Sequence, residues 1–158
     1  MDEPVVVVGA GPVGLAAAAH LLERGMTPVV LEAGPRAGAA VARWRHVRLF
    51  SRWSELADPA ARRLLERTGW RAPDPDAHPT GEEWVARYLA PLADALGDHV
   101  RVNARVVGVA RRGRDRVVDA GRDSEPLTVH GEDGGRITVR AVVDGAGTWG
   151  GPNPLGGD

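Results

Sequence analysis

Gly9, Gly11 and Gly14 stand in the run Gly9-Ala10-Gly11-Pro12-Val13-Gly14, which has the spacing G-x-G-x-x-G. Such a turn between a strand and a helix is suited to phosphate chemistry. The first glycine allows the tight turn, the second lets a pyrophosphate approach the backbone, and the third lets the helix pack closely on the strand. Pro12 suits the first helical position, and the helix end offers free N–H groups and a partial positive charge. Glu32 lies about 20 residues on, at the end of the next apolar run, where a carboxylate can accept hydrogen bonds from a ribose diol. It would repel a 2′-phosphate, so the pattern favours FAD or NAD over NADP.

The remaining reactive side chains form no second constellation. His20, His46, His78, His99 and His130 are scattered without an H-x-x-x-H pair or a carboxylate cluster at ligand spacing, so no metal site is expected. Ser51, Ser54 and Ser124 lack the setting of a nucleophile elbow. The chain has no cysteine, which excludes disulfides, thiolate metal sites and a thiol redox centre. Any redox chemistry must come from a bound cofactor, and no catalytic residue is assigned.

The elements that must position these groups follow from patterning. Val5 to Val8 is a short β-branched run of the kind buried on both faces of a parallel sheet. Leu15 to Arg24 is a helix stopped at Gly25, and Thr27 to Leu31 a second strand. The following "AGPRAGAAVARWRHVRLFSRW" reads as an extended loop with a short strand near Val47 to Phe50. Asp58 as N-cap and Pro59 at the first helical position predict a short helix with Leu64 and Leu65 on one side. A proline-rich connection leads to the capping box Thr80-Gly81-Glu82-Glu83. Trp84, Val85, Tyr88, Leu89, Leu92 and Leu96 follow at helical spacing, with Pro91 expected to kink the helix. His99 to Val102 predicts a third parallel strand. Residues 104–140 predict an antiparallel meander from "RVVGVARR", "DRVVDAG", "PLTVHG" and "GRITVR". Ala141 to Asp144 then predicts a buried strand entering a second glycine turn.

Length and composition fit one such domain. The 158 residues are 43% hydrophobic and 26% charged, with a net charge of −1. That is ordinary for a globular chain long enough to build a core, and it gives no electrostatic case for nucleic acid or anionic membrane. All 20 basic residues are arginine, which points to compositional bias rather than chemistry. Met1-Asp2-Glu3-Pro4 lacks the positive start of a signal peptide. The apolar stretch after it is interrupted by the glycine turn, His20, Glu23 and Arg24 before about 20 clean residues accumulate. A cytoplasmic location is expected, with no membrane contact.

Three segments together carry a family resemblance: "VVVVGAGPVGLAAAAHLLERG…VVLEAG", "HPTGEEWVARYLAPLADALG" and "AVVDGAGTWGGPNPLG". The chain resembles the N-terminal FAD-binding part of bacterial flavoproteins similar to flavin-containing monooxygenases, within the FAD/NAD(P)-binding oxidoreductases. The resemblance covers essentially the whole chain. It implies an α/β, Rossmann-like domain over residues 1–158, a central parallel sheet with residues 104–140 inserted as a β-meander crossover.

By that resemblance Gly9, Gly11, Pro12, Val13 and Gly14 would cradle the FAD pyrophosphate, Glu32 with Ala33 would hold the adenosine ribose, and Val106 would lie beside the adenine. Ala146 and Gly147 would pass near the cofactor from the last strand, Ala146 standing where the family commonly has a hydroxyl residue. Arg43, Trp44, Arg48, Leu49 and Trp53 fall where members approach the pyrophosphate and flavin. Trp44 and Trp53 read equally as packing residues of a long loop.

A full-length member would continue past Asp158 into a second dinucleotide motif for NADPH and a return to the FAD domain. NADPH would therefore serve as electron donor only if that domain were supplied. The implied function is the FAD-binding portion of a flavin-dependent, monooxygenase-like oxidoreductase. The alternatives are a non-catalytic NAD- or FAD-binding module, or a structural fragment without nucleotide. The last strand would present a partly bare edge for a second copy or a partner chain. With part of the flavin pocket missing, weak FAD binding or none is expected of this chain alone.

Overall fold

The computed structural model describes residues 3–111 and 125–148. Four parallel strands form the central sheet: β1 (Val5–Val8), β2 (Pro28–Leu31), β3 (Val100–Arg101) and β7 (Ala141–Asp144), in the order β3-β2-β1-β7. β1 is central, as its unbroken valines predict, pairing Val6 with Val29 on one side and Val142 on the other. Its side chains alternate between two apolar layers: Val7 packs with the helices, and Val6 packs with Leu31, Val129 and Val139 beneath the meander. Both faces of the sheet are covered, which explains why β1 lacks polar alternation. The antiparallel layer has the order β4-β5-β6, from β4 (Val106–Arg111), β5 (Leu127–Gly131) and β6 (Arg136–Val139). The expected strand "DRVVDAG" lies outside the described residues. β7 differs from expectation: as an edge strand it is only half-buried, and Asp144 is exposed.

The helical layer is built on α1 (Pro12–Glu23), α4 (Pro59–Glu66) and α6 (Ala90–Leu96), with short turns α2 (Ala39–Ala42), α3 (Trp53–Leu56) and α5 (Gly81–Trp84). α1 begins at Pro12, the position that proline suits. Asp58 caps α4 by accepting N–H bonds from Ala60 and Ala61 at 2.8 and 3.1 Å. It also pairs with His20 of α1 at 3.1 Å. Its own backbone N–H donates to the buried Tyr88 hydroxyl at 3.0 Å, so one residue ties three helical segments together. Burial pushes the Tyr88 hydroxyl pKa up from its ordinary value, and the nearby Asp58 carboxylate adds to this.

Pro91 acts less as a kink than as a local change of helical type. Residues Val85–Leu89 form a π-turn between α5 and α6, with the Ala90 N–H reaching the Val85 carbonyl. The proline ring crowds the carbonyl four residues before it and supplies no N–H to it, and a wider turn relieves the contact. That carbonyl, of Arg87, instead accepts the Trp70 indole N–H at 2.7 Å. The expected strand at Val47 to Phe50 reduces to a single bridge between Arg48 and Thr80.

Candidate dinucleotide-binding cleft

The carboxyl ends of β1, β2 and β7 open into a cleft of about 800 Å³. Position at strand ends, where neighbouring connections diverge to opposite sides, is the place where open α/β sheets hold ligands. Two glycine turns form its base. Gly9 has φ +93°, and a Cβ there would sit 2.8 Å from the Gly145 carbonyl oxygen, so the first turn needs glycine where the second crosses it. The Gly145 N–H donates to the Val8 carbonyl at 2.9 Å and locks the crossing. Gly14 is held from the other side: a Cβ would lie 1.9 Å from the Gly9 carbonyl oxygen, which fixes α1 tightly against the turn. Gly11 differs, because a Cβ there would meet nothing within 4 Å and would project into open space.

The start of α1 has no acidic residue in its first turn and no side-chain cap, with Gly11 as N-cap and Pro12 next. Its leading N–H groups lack intrahelical acceptors and carry the positive end of the helix dipole. Across the cleft, Glu32 does more than its position suggests. One carboxylate oxygen accepts the Ala10 N–H and the other the Gly34 N–H, each at 2.7 Å. The side chain thus staples the first glycine turn to the segment after β2. Each oxygen keeps a further lone pair for a hydroxyl donor. The backbone around Glu32 is fixed as well, through its N–H to the Arg101 carbonyl and its carbonyl to the Ala104 N–H at 2.9 and 2.8 Å.

Ten of the expected residues line this cleft: Gly9, Gly11, Pro12, Val13, Glu32, Ala33, Arg43, Val106, Ala146 and Gly147. Five are absent from its lining. Gly14 lies beneath the turn and acts through packing. Trp44 covers Gly81 and stacks obliquely on Trp84 at 6.4 Å. Arg48 reaches the His78 carbonyl, and Leu49 packs into the helical core while its N–H bonds to Pro79. The last two are drawn away because residues 47–54 are laced to 75–81 by backbone hydrogen bonds. Trp53 is likewise a core residue, 4% exposed, under the Arg87 guanidinium.

Arg36 and Arg105 were not expected and line the cleft with Arg43, so three arginines stand in the lining beside the single acidic residue Glu32. Arg105 faces Glu132 at 3.6 Å. The surplus of positive charge suits a polyanion. An arginine four positions after Glu32 was the available sequence signal for Arg36, whereas Arg105 reaches the cleft only through the β3–β4 connection. Among the described residues no group of three or more His, Asp or Glu is placed to hold a metal ion, and no helix is long and apolar enough to cross a membrane.

The chain is similar to known proteins in sequence and in fold. Over 103 residues the chain is 38% identical to indole-3-pyruvate monooxygenase YUCCA1 of Oryza sativa subsp. japonica, covering 64% of this chain and 23% of that protein. It is 35% identical over 99 residues to glycine oxidase of Pseudomonas aeruginosa, covering 54% of this chain and 26% of that protein. The fold superposes on a flavin-containing monooxygenase from Stenotrophomonas maltophilia with a TM-score of 0.67 and 31% identity, over 95% of this chain and 40% of that one. The chain therefore spans about a quarter of the curated relatives it matches. The profile described as pyridine nucleotide-disulphide oxidoreductase matches residues 6–127, most of the chain, and the protein belongs to that family.

Proposed function

We propose that the cleft binds FAD and that the chain is the FAD-binding portion of a flavin-dependent, monooxygenase-like oxidoreductase. The observation that carries this reading is the convergence of both glycine turns, the start of α1 and Glu32 on one cleft with three arginines on its walls. The residues present fit the adenosine and pyrophosphate half of the cofactor. Gly11 leaves room for phosphate, the first turn of α1 donates to it, Arg36 and Arg43 neutralise it, and the free lone pairs of Glu32 accept from the ribose. Val106 offers an apolar contact for the adenine, and Ala146 and Gly147 border the cofactor from β7. When bound, the flavin supplies hydride and oxygen chemistry, while these residues bind and orient.

The wider reading is a single FAD-binding domain over residues 1–158, with the electron donor NAD(P)H bound elsewhere in a complete enzyme. The bare edge of β7 would be covered by a second copy or a partner chain. A cytoplasmic location completes this reading.

The contacts named suggest about 4 to 7 kcal/mol of binding: about 1 from the helix end and 1.5 to 3 from each of two charge-assisted bonds. The middle of that range corresponds to a dissociation constant of about 0.1 mM, against the 8 kcal/mol that micromolar binding needs. Titration of the chain with FAD, followed by competition with ADP and with FMN, tests this. ADP is expected to displace FAD and FMN to leave it bound. Displacement by FMN alone would refute the assignment of the cleft to the adenosine half.

A further inference from the structure

The second glycine turn is held unevenly. Gly145 is fixed by its bond to Val8 and by close contact with Gly14, at 3.3 Å from a Cβ position. Ala146 and Gly147, which line the cleft beside Gly145, are exposed, and nothing lies within 4 Å of a Cβ at Gly147, which has φ +65°. One hydrogen bond among the described residues holds them: the Asp144 carboxylate accepts the Ala146 N–H at 3.0 Å. Asp144 ends β7 opposite Val8, so its backbone is anchored in the sheet while its side chain reaches forward over the turn. A short acceptor side chain bonding two residues ahead selects one turn conformation from the several that an Ala-Gly pair can adopt.

We propose that Asp144 is a positioning residue for cofactor binding, presetting the Ala146–Gly147 backbone in the shape that borders the dinucleotide. This rests on the reading of the cleft as an FAD site. The carboxylate is exposed and makes no other hydrogen bond or ion pair among the described residues, so its role lies in this bond rather than in the core. Its negative charge is unhelpful beside a polyanion. What the turn requires is the acceptor oxygen, which an asparagine also provides.

The test uses Asp144→Ala and Asp144→Asn in the full chain, with two readouts. The first is amide hydrogen exchange at Ala146 without ligand: faster in Asp144→Ala, unchanged in Asp144→Asn. The second is FAD affinity, expected to fall about fivefold to tenfold in Asp144→Ala, the worth of one exposed hydrogen bond. In Asp144→Asn it should equal or exceed that of the unmodified chain, and ligand-free melting temperatures should match in all three. Unchanged exchange in Asp144→Ala overturns the proposal, as does an Asp144→Asn variant as impaired as Asp144→Ala. If the unmodified chain binds no FAD, the functional reading fails, and the exchange data still decide whether Asp144 positions the turn.

Discussion

Alanine at Gly11 and alanine at Gly14 should have opposite consequences, although the two glycines belong to one motif. At Gly14 the added Cβ would sit 1.9 Å from the Gly9 carbonyl oxygen, with the Val7 side chain at 3.3 Å. Ordinary contact lies near 3.5 Å, so the helix or the turn must move by about 1.6 Å. Both are backbone, and α1 packs on β1, α4 and α6, so the strain cannot relax through a rotamer. Overpacking of this kind costs about 3 kcal/mol or more, a fall of roughly 6 to 12 °C in melting temperature for a chain of this size. At Gly11 the backbone is φ −82°, ψ −174°, open to any residue, and the Cβ touches nothing. The loss there is about 0.5 to 1 kcal/mol for a poorer N-cap. The methyl instead occupies the approach of the pyrophosphate, and FAD affinity should fall about tenfold or more, near 1.4 kcal/mol. Thermal melts of the two variants beside FAD titrations check both halves. A Gly14→Ala chain melting within about 2 °C of the unmodified one, or a Gly11→Ala chain with undiminished affinity, would refute the reasoning.

Glu32→Ala should remove two short, charge-assisted bonds and cost about 2 to 4 kcal/mol in urea denaturation, with loss of FAD binding. Glu32→Gln, which keeps one acceptor oxygen, should fall between. Asp58→Ala should lose about 1 to 2 kcal/mol through its cap, and Tyr88→Phe about 1 kcal/mol by leaving the Asp58 N–H without its acceptor. Because Asp58→Ala keeps the backbone N–H that donates to Tyr88, the two losses are separate and should add, as a double-mutant cycle would show. The Glu83 carboxyl is held below its ordinary pKa, first by the Thr80 backbone N–H. The unfolded chain therefore takes up this proton more readily. The contribution of Glu83 is present above its ordinary range near pH 4.5 and is lost as pH falls through the lower folded value. Glu83→Gln, which keeps the acceptor but does not titrate, should flatten the acid limb of a stability–pH curve, and an unaltered limb would count against it.

Local chemistry explains which features could be read from residues alone. β1, the Asp58 cap and the Thr80–Glu83 box each depend on residues adjacent in sequence, and each forms where its pattern predicts. The glycine motif was legible for the same reason, since spacing alone encodes the turn. What escaped depends on contacts between distant segments. The placement of Arg48 and Leu49 outside the cleft follows from backbone bonds between residues 47–54 and a proline-rich connection that has no periodicity to announce a partner. The hydrogen bond from Ala10 to the Glu32 carboxylate requires β1 and β2 already paired. The π-turn required Trp70 as donor to the carbonyl that Pro91 cannot serve, a compensation 17 residues away from Arg87.

The central claim is that both glycine turns and Glu32 form one dinucleotide site, and amide chemical shifts during an FAD titration test it most directly. Saturable shifts are predicted at Gly9, Gly11, Val13, Ala33 and Gly147 together, fitting a single dissociation constant. Absence of saturable shifts up to about 1 mM, a tenfold excess over the expected constant, or shifts confined to the β5–β6 hairpin, would contradict it.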